Sequence, residues 1–324
     1  MPAPSSVVPA ASGYRVYAAL TNPIFAKALI PRYYAGTVTG RITSSDIVPS
    51  EIKQEGDTVV FRVAPKAEIF EYQKNQDLEV SQLNTRPVTM TIDRAYYYNL
   101  KLDYVDEKQI PDVMTWVREF RESAVQVLAE QTDFLIQSEL PHQVDCHNKG
   151  RNAGKRTGAF DLGTSGAPVT VTSANIMQVI GRLSAVLTEA NVPNRGRFLL
   201  LPSSAAPLLW SNTILANAYS SGMSKSIVLT DGEVIPDLLG FDIIFSNNTP
   251  IYTDPVTDQM TFTILAGLKS ATGYVMQLNN QEVIDKDPRS FSKYWRGLVL
   301  WGAKVIKPED LAVLYATFDY NTTP

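Results

Sequence analysis

The chain has 324 residues, 44% of them hydrophobic and 19% charged, and a formal net charge of −4. That length suits one large or two moderate folded domains, and the charge excludes a strongly basic polyanion binder. A single cysteine, Cys146, excludes an internal disulfide, and no run approaches the ~18 apolar residues of a membrane span, so a soluble intracellular product is expected.

Residues 1 to about 20 read as an extended arm, with proline at positions 2, 4 and 9 and no hydrophobic period. Met1 to Ser12 lacks the basic start and apolar core of a signal peptide. Asn22-Pro23 reads as a helix start, with a capping Asn and Pro in the first turn. Gly56-Asp57 signals a turn into a strand, Thr58 to Val63, which Pro65 stops. Residues 66–85 are polar and carry interspersed charges, and Val88 to Ile92 alternates again. Two strands joined by so long a charged tip make a projecting two-stranded arm. Such a hairpin is marginal alone in water, so a neighbouring subunit is its expected support. Ala95 to Val105, rich in tyrosine, reads as a further strand.

Asp112 to Leu140 is the longest regular stretch. Val113, Trp116, Val117, Phe120, Ala124, Val127, Leu128, Leu135 and Ile136 recur at three- and four-residue steps, the stripe of one buried helix face. Arg118, Glu119, Arg121, Glu122, Gln126, Glu130 and Asp133 read as the opposite, solvated face. Pro111 suits the first turn and Pro141 ends the run. A helix of roughly 28 residues would be about 42 Å long, far beyond the usual globular helix.

Residues 146–168 read as a mobile loop rich in Gly, Asn, Thr and basic side chains. Thr172 or Ser173 is the expected cap of a second helix, about Ala174 to Ala190. Phe198 to Leu201 reads as a strand buried on both faces, and Ser203 as the cap of a short helix through Trp210. Strands are expected at Ile227 to Leu229, Phe241 to Phe245 after a Leu239-Gly240 turn, Thr261 to Ala266, Tyr294 to Val305 and Leu311 to Phe318. Ser270 to Leu278 reads as a short helix.

No catalytic arrangement stands out. Gly150, Gly154, Lys155, Arg156 and Thr157 look superficially like a phosphate loop. Three residues separate the glycines where four are needed, and Arg156 intervenes before Thr157. Lys149, Arg151, Lys155 and Arg156 are instead candidates to touch an anionic surface. His142, Asp145, Cys146 and His147 lie close in sequence, but one short cluster with only two histidines in the chain does not make a closed zinc site. Neither histidine has a nucleophile-elbow context. The reading is therefore no enzyme, no cofactor and no metal.

The order of elements, with several local stretches, resembles the major capsid proteins of tailed double-stranded DNA phages, the Hong Kong 97 fold. Glu55 to Phe61 resembles the strand entering that family's extended loop (E-loop), and Gln126 to Phe134 the end of its spine helix. Val192-Pro193 with Arg197 to Pro202 resembles the helix-to-strand step of its axial (A) domain. Leu239 to Ile243 with Ser246-Asn247 resembles a stretch of the same domain. Lys293 to Gly297 and Trp301-Gly302 resemble its late strand, and Pro308-Glu309 the turn after that strand.

The resemblance implies an α+β fold with an N-terminal arm at 1–45, the E-loop and flanking strands at 46–95, and a peripheral (P) domain at 96–145 holding the spine helix (about 112–140). An A-domain occupies 146–284, and return strands 285–324. It implies a virion protein, assembled in the host bacterial cytoplasm, that self-associates into hexamers and pentamers of an icosahedral shell around double-stranded DNA. Further implied partners are a portal, a separate scaffolding protein (no long coiled-coil region precedes the arm) and a decoration or cement protein, with no membrane. Lys66, Glu68, Glu71, Lys74, Asp77, Glu79 and Arg86 become candidate inter-subunit contacts of the E-loop, and Lys149, Arg151, Lys155 and Arg156 inner-face or loop contacts. A compartment shell of encapsulin type and an intracellular α+β enzyme are the competing readings.

Overall fold

A computed structural model describes residues 36–45, 58–62, 69–72, 74, 77, 87–109, 112–212, 234–253, 259–284 and 290–320. The expected arm, the Asn22-Pro23 helix start, the Gly56-Asp57 turn and the 227–229 strand lie outside these residues. The chain divides into two compact units. Among the described residues, one takes 95–128 and 279–299, and the other 36–94, 129–278 and 300–320.

The larger unit is built on a sheet of β4 (Val169–Val171), β5 (Arg197–Pro202), β6 (Val234–Leu238), β7 (Phe241–Ser246), β8 (Ile251–Thr253), β9 (Met260–Leu268) and β12 (Leu311–Phe318). Its order is β4-β12-β9-β5-β7-β6, with β8 paired to β9. The β5–β7 and β12–β4 pairs are parallel, and β12–β9, β5–β9 and β6–β7 antiparallel. All six residues of β5 are buried, and β5 has a hydrogen-bonded strand on each side. Alternate residues of neighbouring strands (Leu199 and Leu201, Ile264 and Ala266, Ala312 and Leu314) line one face of the core. Against it packs α4 (Ile176–Glu189) through Ile176, Val179, Ile180, Leu183, Val186 and Leu187. The start expected at Ala174 moves to Ile176, and neither hydroxyl caps the helix. Asn175 Oδ1 accepts from Thr172 N–H at 2.8 Å, while the Thr172 carbonyl accepts from Asn175 and Ile176 N–H. After β5 comes a 3-10 turn, Ser203–Ala205, running into α5 (Ala206–Trp210), without a side-chain cap from Ser203. Gly240 has φ +82° in the turn into β7, and a Cβ there would stand 2.8 Å from the Asn194 carbonyl oxygen, so the turn requires glycine.

The same unit contains α1 (Thr39–Ile42) and the antiparallel pair β1 (Thr58–Arg62) and β2 (Pro87–Thr91), registered Thr58 to Thr91 through Arg62 to Pro87. Val59, Phe61 and Met90 are buried with Ile92, Val275 and Ile306, while Val60 is exposed, the alternation of a half-buried hairpin.

The smaller unit includes most of β3 (Arg94–Asp103), α2 (Tyr104–Gln109), the first sixteen residues of α3 (Val113–Glu139), and parts of β10 (Thr272–Ile284) and β11 (Ser292–Val305). These strands form a three-stranded sheet ordered β10-β11-β3. Its core is small: Leu102, Val113, Val117 and Trp295, with Leu100 and Trp116 against them. Gly297 lets the Tyr98 ring lie on the strand, since a Cβ would clash with the edge of that ring.

Three expectations need correction. Tyr104 and Val105 belong to α2, not to the strand. The Asp103 carboxylate accepts from Val105 N–H at 3.0 Å, the act of a helix cap. The helix expected over Ser270 to Leu278 is a 3-10 turn, Lys269–Ala271, followed by β10. Pairing with β11 offers its backbone a ladder that the local apolar spacing did not reveal. The third concerns α3. Val113, Val117 and Ile136 are buried as expected, but no residue from 118 to 131 is, and Phe120 and Val127 are exposed. Asp133, expected on the solvated face, is 0% exposed.

Candidate functional site

The basic loop is built, not loose as expected. Ala153 and Phe160 exchange backbone hydrogen bonds at 2.8 and 3.0 Å, Gly154 N–H donates to the His147 carbonyl, and Leu162 N–H to that of Gly150. Ala153 is fully buried in the main core. Two consecutive N–H groups of the loop are already occupied: Glu189, the last residue of α4, accepts from Arg156 N–H at 2.9 Å, Thr157 N–H at 3.2 Å and the Thr157 hydroxyl at 2.8 Å. The Arg156 amide, with Thr157 behind it, holds the Glu189 carboxyl below the usual glutamate range. These hydrogen bonds favour the ionised carboxylate over the protonated acid. Gly154, at φ +113°, leaves room for it; a Cβ there would approach the carboxylate to 2.8 Å.

The four sequence-selected cations diverge in role. Lys155 pairs with Glu309 at 2.8 Å, which raises its pKa, and Lys149 donates to the His142 carbonyl at 3.5 Å. Arg151 and the Arg156 side chain are exposed.

Asp145, Cys146 and His147 bring one donor atom each within 4.8 Å of one another, and His142 does not join them. The His147 Nδ1 and Asp145 Oδ1 atoms are 2.8 Å apart, and the Asp145 side chain also caps the turn by accepting from His147 N–H. Partial burial pushes the Asp145 carboxyl up, but the two His147 contacts outweigh it and the net shift is downward. The cluster serves as a turn cap.

Of the hairpin-tip candidates, Glu71, Lys74 and Asp77 are exposed, while Lys66, Glu68, Glu79 and Arg86 lie outside the described residues. Charge counting missed the apolar side chains beside them. Ile69 is 94% exposed, and Phe70 and Tyr72 are exposed as well.

Sequence reasoning also missed a buried polar node. Asp133 Oδ1 accepts from Val38 N–H at 3.0 Å, Thr39 N–H at 2.8 Å and the Thr39 hydroxyl at 2.6 Å. Its Oδ2 accepts from Gln137 Nε2 at 2.7 Å and Asn248 Nδ2 at 2.9 Å. Five donors saturate one carboxylate and tie three distant segments together. A signal was available, since Asp133 stands three residues before Ile136 and seven before Leu140, on the buried arc. Arg197 is a second such group: burial lowers its pKa, and its guanidinium donates to the carbonyls of Pro193, Ser184 and Val192.

No protein-family model and no curated protein matches this sequence. Solved structures do. A chain from Mycobacterium phage Che8 is similar over 93% of this chain and 98% of its own, with a TM-score of 0.68 and 22% identity. A chain of the mature capsid of bacteriophage PhiM1 matches over 93% and 92%, with a TM-score of 0.63 and 13% identity. One from the cyanophage Pam1 capsid matches over 92% and 96%, at 0.64 and 11%. The fold is that of phage capsid chains. The likeness spans both units and nearly the full length of each partner, so it concerns the complete architecture rather than a shared supersecondary motif. Among the described residues, no helix of this capsid-type fold is long and apolar enough to cross a membrane.

Proposed function

We propose that the chain is the major capsid protein of a tailed double-stranded DNA phage, a structural subunit without enzymatic activity. The observation that carries this reading is the near-complete, two-way coverage by capsid chains at TM-scores above 0.6. In this reading the fold is of Hong Kong 97 type. The hairpin of β1 and β2 is the base of the E-loop, α3 the spine helix of the P-domain, and the β5–β7–β9 sheet the heart of the A-domain. Copies associate into hexamers and pentamers of an icosahedral shell that encloses DNA, with a portal, a scaffolding protein and a decoration protein as further partners.

Physical chemistry supports a subunit that completes itself on its neighbours. Exposed apolar groups such as Ile69, Tyr97 and Phe291 cost nothing once a second copy covers them. A closed shell repeats such heterologous contacts by rotation. Glu71, Lys74 and Asp77, with Lys66, Glu68, Glu79 and Arg86, would supply the polar part of the E-loop contact and Ile69, Phe70 and Tyr72 the apolar part.

The test is co-expression with scaffold candidates, followed by light scattering and negative-stain microscopy. Uniform shells or ring-shaped capsomers are expected, and nucleic acid rather than an enzyme cargo inside them separates a phage head from a compartment shell. Deleting residues 74–85 is expected to leave a folded chain that builds no shells. Monomers under every co-expression condition would overturn the shell reading, and normal shells from the deletion variant would overturn the E-loop assignment.

A further inference from the structure

The Glu189 contact is odd on electrostatic grounds. A carboxylate at the last residue of a helix faces the negative end of the helix dipole and is unfavourable there unless another partner holds it. Here the partner is the loop beginning at Gly154, whose two consecutive amides and one hydroxyl converge on it. Successive backbone N–H groups of this kind form an anion-binding concavity. The chain fills that concavity with its own carboxylate. Those two amides are therefore closed to an outside anion, and what the loop offers beside them is side-chain charge. Residues 146–160 contain Lys149, Arg151, Lys155 and Arg156 and no Asp or Glu, in a chain whose net charge is −4. With Lys155 paired to Glu309 and Lys149 half-buried against the His142 carbonyl, the exposed cations that remain are Arg151 and Arg156.

We propose that Glu189 is a positioning residue: it locks the 149–157 loop so that Arg151 and Arg156 bind the phosphates of duplex DNA without reading its sequence. This inference rests on the shell reading, which supplies the DNA. A rigid presentation of guanidinium groups lowers the ordering cost of each phosphate contact.

The two possible roles of Glu189 predict opposite signs. A carboxylate that merely stands near a basic loop repels DNA, so its removal would tighten binding. A carboxylate that holds the loop weakens binding when removed. The experiment measures binding of the full-length chain to a fluorescently labelled duplex by anisotropy, between about 50 and 200 mM salt. Arg151→Ala and Arg156→Ala are each expected to lower the salt slope by about 1. Glu189→Ala is expected to weaken binding despite deleting a negative charge, and Glu189→Gln, which keeps one acceptor oxygen, to restore part of it. Thr157→Val removes one donor to Glu189 at constant net charge and is expected to weaken binding too. It carries the test if circular dichroism shows that Glu189→Ala is unfolded.

Unchanged or tighter binding by Glu189→Ala and Thr157→Val, with the arginine variants impaired, overturns the positioning role alone. Arginine variants that bind as the parent does overturn the loop as the DNA contact. Binding to polyglutamate but not to the duplex overturns the choice of DNA and points to an acidic protein surface. Shell formation is scored separately by microscopy, so failure of the shell reading is distinguishable from failure of the clamp.

Discussion

The two units differ in how far each satisfies itself. The larger one closes a continuous core in which α4, β5, β7, β9 and β12 contribute fully buried aliphatic residues, among them Leu183, Leu187, Leu199, Ile243 and Leu314. Among the described residues, the smaller one gathers Leu102, Val113, Val117 and Trp295, and leaves Phe291 88% and Tyr97 75% exposed. Stability of a lone chain resides in the buried core of the first, while exposed apolar groups occur in both, Ile69 in the larger unit and Phe291 in the smaller. On the proposed shell reading, these exposed apolar side chains are surface that a second copy covers.

Among substitutions that test the contrast between the units, the largest effect is expected at Asp133. Asp133→Ala strands two backbone amides and two side-chain amides in a buried place, at about 1–3 kcal/mol for each group that finds no water. Chemical denaturation should show a loss of at least about 3 kcal/mol, and a smaller loss would mean that water replaces the carboxylate. Next comes Leu183→Ala, which opens a cavity beneath α4 and should cost about 3 kcal/mol by the same measurement.

The contrasting variants lie on exposed residues of α3. Val125→Ala and Val127→Ala are expected to shift the stability of the free chain by less than about 0.5 kcal/mol, yet to reduce shell yield in co-expression. Equal losses of stability at Val127 and Leu183 would remove the distinction between the units. Smaller still is Lys155→Ala, which breaks an exposed ion pair with Glu309 and should change stability by well under about 1 kcal/mol. Asp310 gives a pH signature. Burial, opposed by Lys307 and aided by Glu309, raises its carboxyl pKa. The folded state then holds the proton more tightly than the unfolded one. Stability from this group is present below the ordinary aspartate range and lost as pH rises through the raised value. Asp310→Asn should therefore raise the melting temperature slightly at pH 7, with the gain shrinking in acid.

The long helix, the fully buried β5, the Leu239-Gly240 turn into β7 and the long late strand were legible from local pattern, because each carries its own signal in apolar period, proline punctuation or glycine. It also excluded the phosphate-loop reading by spacing alone. Tertiary pairing was needed for β10, whose first residues read locally as a short helix until β11 supplied a pairing edge. The same holds for Asp133 and Glu189. A carboxylate on an amphipathic pattern looks solvated, and its true role depends on donors from residues 38, 39 and 248, or 156 and 157, that no local window contains. Periodicity reports which face an element buries. Which polar groups are buried with it is set by long-range hydrogen bonds, and those exist only once the chain has folded.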